Sequence, residues 1–287
     1  LEPIARLAAV AAAFIICLPA GTVAQAQTAD KPQAQPRPAA KPPARPKPQA
    51  KPAAQPKETA APEVPGRKSV CVASALGHKF RVQKVGVMVF GNALDEIATS
   101  SWGIDDFVMS RIQGVLGGKY TVRRLPLSEQ NLNALEAADA GGLLFGGSTA
   151  AVSGPLRSAA AGTKCDVYLT VTRAGAQLGG TNQTLGGLGI LARGSILGDI
   201  VYVHAIFNLR SYDSNLTHLR TERASLTPLL VTGLTAPGIY SMVKQVDASW
   251  FPTPPQAAAQ SAQLKNTVRA LVDEGLAKTL KEVFEGA

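Results

Sequence analysis

Residues 201–210 read Val-Tyr-Val-His-Ala-Ile-Phe-Asn-Leu-Arg. Val201, Val203, Ala205, Phe207 and Leu209 fall on one side of an extended chain, and Tyr202, His204, Asn208 and Arg210 on the other. Side chains alternate across a strand, so this period of two predicts a strand with one face in a core and one wetter face. Asp213-Ser214-Asn215 supplies a short turn, and Leu219 to Leu226 is the expected antiparallel partner. The wetter face, Tyr202, His204, Asn208 and Arg210, is the candidate surface for a protein partner.

Working back towards the N-terminus, Val167-Tyr168-Leu169-Thr170-Val171-Thr172 is a further strand. Ser69 to Leu76 and Lys79 to Val85 read as a hairpin turning at Gly77-His78. Its second arm runs into the apolar Val87-Met88-Val89-Phe90, suited to a strand buried on both faces. Ser100 and Ser101 offer N-caps to a helix in which Ile104, Phe107, Val108, Ile112, Val115 and Leu116 recur at helical spacing, with Gly117-Gly118 to stop it. Tyr120 to Leu125 is a strand ended by Pro126, and Leu132, Leu135, Glu136 and Ala138 belong to a short helix. Pro237 opens a helix through Val246, and Leu264, Val268, Leu271, Leu276, Leu280 and Val283 form the stripe of a final one. The expected fold is α/β (α+β): a single mixed, mostly antiparallel sheet with helices packed on it.

This order of elements resembles the periplasmic α/β domains of the TolB N-terminal part and the curli secretion protein CsgG class. The residues carrying the likeness are Val87 to Phe90, Tyr120 to Arg124, Cys165-Asp166-Val167-Tyr168-Leu169 and Leu209-Arg210-Ser211-Tyr212-Asp213. The resemblance implies a domain that assembles or scaffolds in the bacterial envelope. Ser214-Asn215 stand where that pattern has glycine after the turn aspartate, so pore formation is not carried over.

The first 66 residues have a different composition. Arg6, the apolar run Leu7 to Ala20 and Ala24-Gln25-Ala26 have the layout of a secretory signal peptide, 1–26, cleaved after Ala26, with retention as an anchor as the alternative. Phe14-Ile15-Ile16 precede Cys17, so no lipobox is present. Residues 27–66 repeat Lys-Pro, Arg-Pro, Gln-Pro and Ala-Ala units. Proline removes donors and like charges repel, so a disordered proline-rich linker is expected, with a reach of about 3.1 Å per residue and possible contact with peptidoglycan or anionic lipid. The globular domain is then 67–287. Of the formal charge of +9, residues 1–66 hold +4. The remaining +5 is scattered, without a basic stripe and interleaved aromatics, which argues against nucleic-acid binding.

Cys71 and Cys165 sit at or near the starts of two predicted strands. In an oxidising compartment they are candidates for a disulfide, closing about 95 residues, or for two separately buried thiols. No metal or cofactor set is evident: His78, His204 and His218 form no HxH or HxxxH, and no Gly-x-Ser-x-Gly occurs. Gly187-Leu188-Gly189 lacks the strand–helix context of a dinucleotide loop and reads as a flexible glycine segment within 179–198. Asp95, Glu96, Asp105 and Asp106 form a carboxylate cluster, with helix capping the simplest role for the last two. No catalytic residues are assigned. The expectation is an exported, periplasmic or envelope-associated binding or scaffold protein, not an enzyme, with an unknown envelope partner. The alternatives are a hydrolase using Asp105 or Asp106 with His204, and an oligomeric outer-membrane-associated assembly component.

Overall fold

The computed structural model describes residues 66–86, 92–140, 149–178, 183–195, 198–224 and 242–285. The leader, nearly all of the linker, the run Val87 to Phe90 and the Pro237 end of the expected helix lie outside them. The first described elements are β1 (Ser69–Ala75), β2 (Lys79–Val85), β3 (Ala93–Ala98), α1 (Ile104–Leu116) and β4 (Thr121–Arg124). There follow α2 (Glu129–Ala140), α3 (Thr149–Ala159), β5 (Val167–Arg173), β6 (Gly175–Gln177), β7 (Thr184–Gly186) and β8 (Leu188–Arg193). The last elements are β9 (Ile200–Ala205), β10 (Phe207–Asp213), β11 (His218–Ala224), β12 (Val243–Val246) and α4 (Ala262–Glu285).

The architecture is mixed α/β, as expected, but the strands among the described residues form three sheets, not one. Their orders are β11-β10-β5-β1-β4, β12-β9-β8-β2-β3 and β6-β7. Antiparallel pairings predominate; β1 with β4 and β5, and β2 with β8, are parallel.

The first sheet has helices on both faces. Val70, Val72, Leu169, Val171, Phe207 and Leu209 point into a core shared with α1 and α4. Cys71, Ala73, Ala75, Tyr168 and Tyr212 point the other way, into a core with Leu135 of α2 and Val152 and Leu156 of α3. Each large apolar side chain so buried contributes about 1.5–3 kcal/mol. That cover keeps Asn208 and Arg210 of β10 from being the wetter face read from the sequence, while Tyr202 and His204 belong to β9 in the second sheet. His204, Asn208 and Arg210 are buried and Tyr202 is half-buried, so these four residues do not form an open partner surface.

Three further expectations are corrected. Residues 69–85 are not a hairpin, because β1 and β2 enter different sheets around Leu76-Gly77-His78. The polar groups of that corner are met locally: Asp105 accepts from Leu76 N and Gly77 N, and the Thr99 hydroxyl and amide donate to Gly77 O and His78 O. Val243–Val246 is a strand, not the end of a helix, and it covers the open edge of β9. Finally, the helix entry at α1 uses Gly103 in the left-handed region, φ +59°, after a short turn at Ser100–Trp102, with no serine side-chain cap. The stripe on α4 is placed as read: Leu264, Val268, Leu271, Leu276 and Leu280 are buried, and the helix packs on α1, β9, β10 and β11.

Candidate functional site

Residues 201–210 form two strands, β9 and β10, that meet at Ile206. Two other chain segments change sheets at the same place: β5 passes into β6 at Ala174, and β7 into β8 at Gly187. Their amides close a ring of three backbone hydrogen bonds. Ala174 N donates to Ile206 O at 3.0 Å, Ile206 N to Gly187 O at 2.9 Å, and Gly187 N to Ala174 O at 2.8 Å. Gly187 has φ +62°, and a Cβ there would overlap Arg173 Nε. Only glycine accepts both conditions without strain. The glycine segment is thus a built junction here, not a flexible loop. Gly189 lies within β8, where a Cβ would stand 2.5 Å from His204 Nε2.

Beside the junction is a cleft of about 310 Å³, lined by Lys79, Arg81, Glu96, Glu136 and Arg173 together with the backbone of Gly186 and Gly187. The strand pairing of β2 with β3 sets Arg81 opposite Glu96, and Arg81 Nε donates to Glu96 Oε1 at 3.0 Å. Lys79 Nζ reaches Glu136 Oε2 at 2.9 Å and Glu96 Oε2 at 3.8 Å. Arg173 Nη2 approaches Glu96 Oε1 no closer than 3.7 Å. Burial alone would raise the Glu96 pKa, but the charge of Arg173, then Arg81 and Lys79, holds its carboxyl below the ordinary value. Burial, and then Arg81, lower the pKa of Arg173, against the attraction of Glu96 and Glu136.

His204 stands behind this cleft. Its Nδ1 is 3.0 Å from Gly187 O, and since a carbonyl can only accept, that nitrogen carries the proton. Desolvation lowers its pKa to about 3, with Arg81 and Arg173 adding to the fall and the Gly187 bond opposing it. The imidazole is therefore a neutral structural group at neutral pH.

The carboxylates grouped in the sequence are divided between two places. Glu96 belongs to the junction cleft, whereas Asp105 and Asp106 line a second one, of about 260 Å³, beneath the β1–β2 corner. There Asp105 Oδ1 accepts from Ser74 Oγ at 2.5 Å and Leu76 N at 3.0 Å, and Oδ2 accepts from Gly77 N at 3.2 Å and faces His78 Nε2 at 3.4 Å. Asp106 Oδ1 accepts from Arg124 Nη2 at 2.6 Å. No hydrogen bond or ion pair joins either aspartate to His204, so the acid/base set weighed from the sequence is not assembled. Asp105 is engaged in holding a corner. Among the described residues, no group of three His, Cys, Asp or Glu side chains is placed to hold a metal ion.

Cys71 and Cys165 are joined, with Cα atoms 5.9 Å apart, on the face of the first sheet covered by α2 and α3. Asp166 fastens the same pair of strands, its Oδ2 accepting from Ser69 N at 2.7 Å and Ser69 Oγ at 2.8 Å. Lys79, Arg173 and Glu136 were not singled out from the sequence. Lys79 and Arg173 are charged residues on strands and Glu136 one on a helix, and such charge ordinarily means a solvated face.

No family model matches the chain, and no curated protein matches it. Among solved structures it is similar to lipoprotein GNA1162 from Neisseria meningitidis, at 12% identity over 67% of this chain and 96% of that one, with a TM-score of 0.24. A likeness of that size carries no argument about fold or role.

Proposed function

We propose that this chain is an exported bacterial envelope protein that acts by binding, with a cleaved leader at 1–26, a proline-rich spacer at 27–66 and one folded body at 67–287. The Cys71–Cys165 pairing carries the reading, because a buried cystine between two neighbouring strands belongs to an oxidising compartment. The secretory layout of residues 6–26 supports the same compartment. Among the described residues no helix is long and apolar enough to cross a membrane, which agrees with a body carried on a tether. The spacer holds that body off a surface, and its Lys-Pro and Arg-Pro units suit contact with peptidoglycan or anionic lipid. Binding is favoured over catalysis because Asp105 and His204 each serve a structural bond.

The test is fractionation of a bacterial host expressing the full chain, with the mature N-terminus read by mass spectrometry. Export predicts a periplasmic or envelope species beginning at Gln27, with Cys71 and Cys165 found in one disulfide-linked peptide pair. An intact leader on a thiol-reactive cytosolic product overturns it.

A further inference from the structure

The junction cleft has a charge pattern that its own residues leave incomplete. Among the described residues, Lys79, Arg81 and Arg173 face two carboxylates, Glu96 and Glu136, so one positive charge is in excess. The Glu136 side chain is only 9% exposed, yet its Oε1 has no hydrogen-bond partner. The Arg173 side chain is 11% exposed, and its Nη2 has only the distant Glu96 oxygen at 3.7 Å and no hydrogen bond. Buried charged atoms left without hydrogen bonds are costly and rare in folded proteins. The residues that carry this orphan acceptor and orphan donor both line the same cleft, with the two atoms themselves just beneath its surface.

We propose that this cleft binds a small amino-acid-like anion, its carboxylate taken by Arg173 and Arg81 and its ammonium by Glu136. Once the Glu136 and Arg173 side chains turn towards the cleft, both orphans are satisfied by one molecule, and a ligand with two carboxylates and one ammonium cancels the excess charge. Gly186 and Gly187 contribute backbone to one wall, and the Arg173 guanidinium packs against it at Gly187. Lys79, 40% exposed and bridging both carboxylates, is the flexible member that turns aside to admit it. A cleft of about 310 Å³ has room for a small molecule of amino-acid size. The assignment rests on the reading of the chain as a binding protein, but it stands or falls separately from export.

The measurement is the thermal unfolding midpoint of the purified mature chain, oxidised, with glutamate of either hand, succinate or inorganic phosphate added at about 10 mM. If the dissociation constant is a hundredth of that, the midpoint rises by about 5–11 °C with glutamate. Succinate, which lacks the ammonium, and phosphate give a much smaller rise. Arg173→Gln removes the glutamate response. Glu136→Gln, which keeps the shape of the side chain, lowers the glutamate response to that of succinate and leaves succinate unchanged. Circular dichroism of both variants verifies that they fold; Arg81→Gln, which removes the other carboxylate ligand and with it the glutamate response, replaces Arg173→Gln if that variant does not fold, and Glu136→Ala replaces Glu136→Gln. The assignment is overturned by equal responses to glutamate and succinate, by no response to any of the probes, or by a response that survives both substitutions. In each of those cases a processed, periplasmic product would still uphold export.

Discussion

At Gly187 the backbone adopts φ +62°, and one carbonyl accepts from both Ile206 N, at 2.9 Å, and His204 Nδ1, at 3.0 Å. A methyl group there meets the Arg173 guanidinium and a backbone conformation that L residues avoid. Gly187→Ala is therefore expected to cost about 1–3 kcal/mol in a urea titration, with an unchanged slope. Gly114, in α1, has nothing within 4 Å of a built Cβ, so Gly114→Ala is the matched control and leaves stability equal or slightly higher. The two glycines look alike in the sequence, and only the surroundings distinguish them. Gly187-Leu188-Gly189 invited a loop assignment because glycine weakens an isolated strand. Here glycine is required, since Arg173 and the His204 ring occupy the space its side chains would need.

Among the elements, β1 has both faces covered and parallel partners on both sides, β4 and β5, in a register that sets Cys71 opposite Tyr168. Its strand character was legible from Val70, Val72 and the alternating small residues. Its partner was not. A two-residue spacing at Gly77-His78 favours a hairpin on local grounds, and the competing pull comes from Asp105, 28 residues further on, which satisfies the corner. The same long reach hid β3, where Ala93-Leu94-Asp95-Glu96-Ile97-Ala98 has little intrinsic strand preference and is held by pairing with β2. The final helix was legible throughout, because a stripe spaced by three and four residues depends on no distant partner. Strand β5 was legible too, and its tie to β1 has a measurable weight. Cys71→Ala with Cys165→Ala is expected to lower stability by about 2–5 kcal/mol, read against the oxidised chain. Reduction of the parent chain should give a loss of similar size. If the double variant unfolds at the same urea concentration as the oxidised parent, the cystine contributes nothing to the fold.

For the molecule as a whole, acid sensitivity follows from His204. Its pKa in the fold is about 3, against an ordinary 6.5. Below pH 6.5 the unfolded chain takes up a proton that the folded chain refuses, so the unfolded state binds more protons and stability falls as pH drops towards 3. Glu96, Asp166 and Asp247 have depressed carboxyls whose contribution is lost only below their ordinary values of 4.5, 3.8 and 3.8. Glu222, raised by burial and then by Glu282, acts in the opposite sense above 4.5. The difference between the parent and His204→Gln isolates the histidine. The parent should lose stability between pH 6.5 and 4.5, and the variant should show a flatter profile across that window. Parallel profiles would mean that the imidazole exchanges protons freely in the folded state. The candidate site as a whole was the least legible part of the sequence. Its charged residues come from β2, β3, β5 and α2, and none of those segments carries a pattern that announces a shared cleft.

The crossing at Ala174, Gly187 and Ile206 also bears on how such a body would register an occupant. Three segments of chain each leave one sheet and enter another at a single knot of backbone bonds. Sliding any sheet by one residue would break that knot and turn every side chain beyond it to the opposite face. An occupant beside the knot therefore meets walls already in place. It changes the charge and contour seen from outside, and leaves the layers where they were.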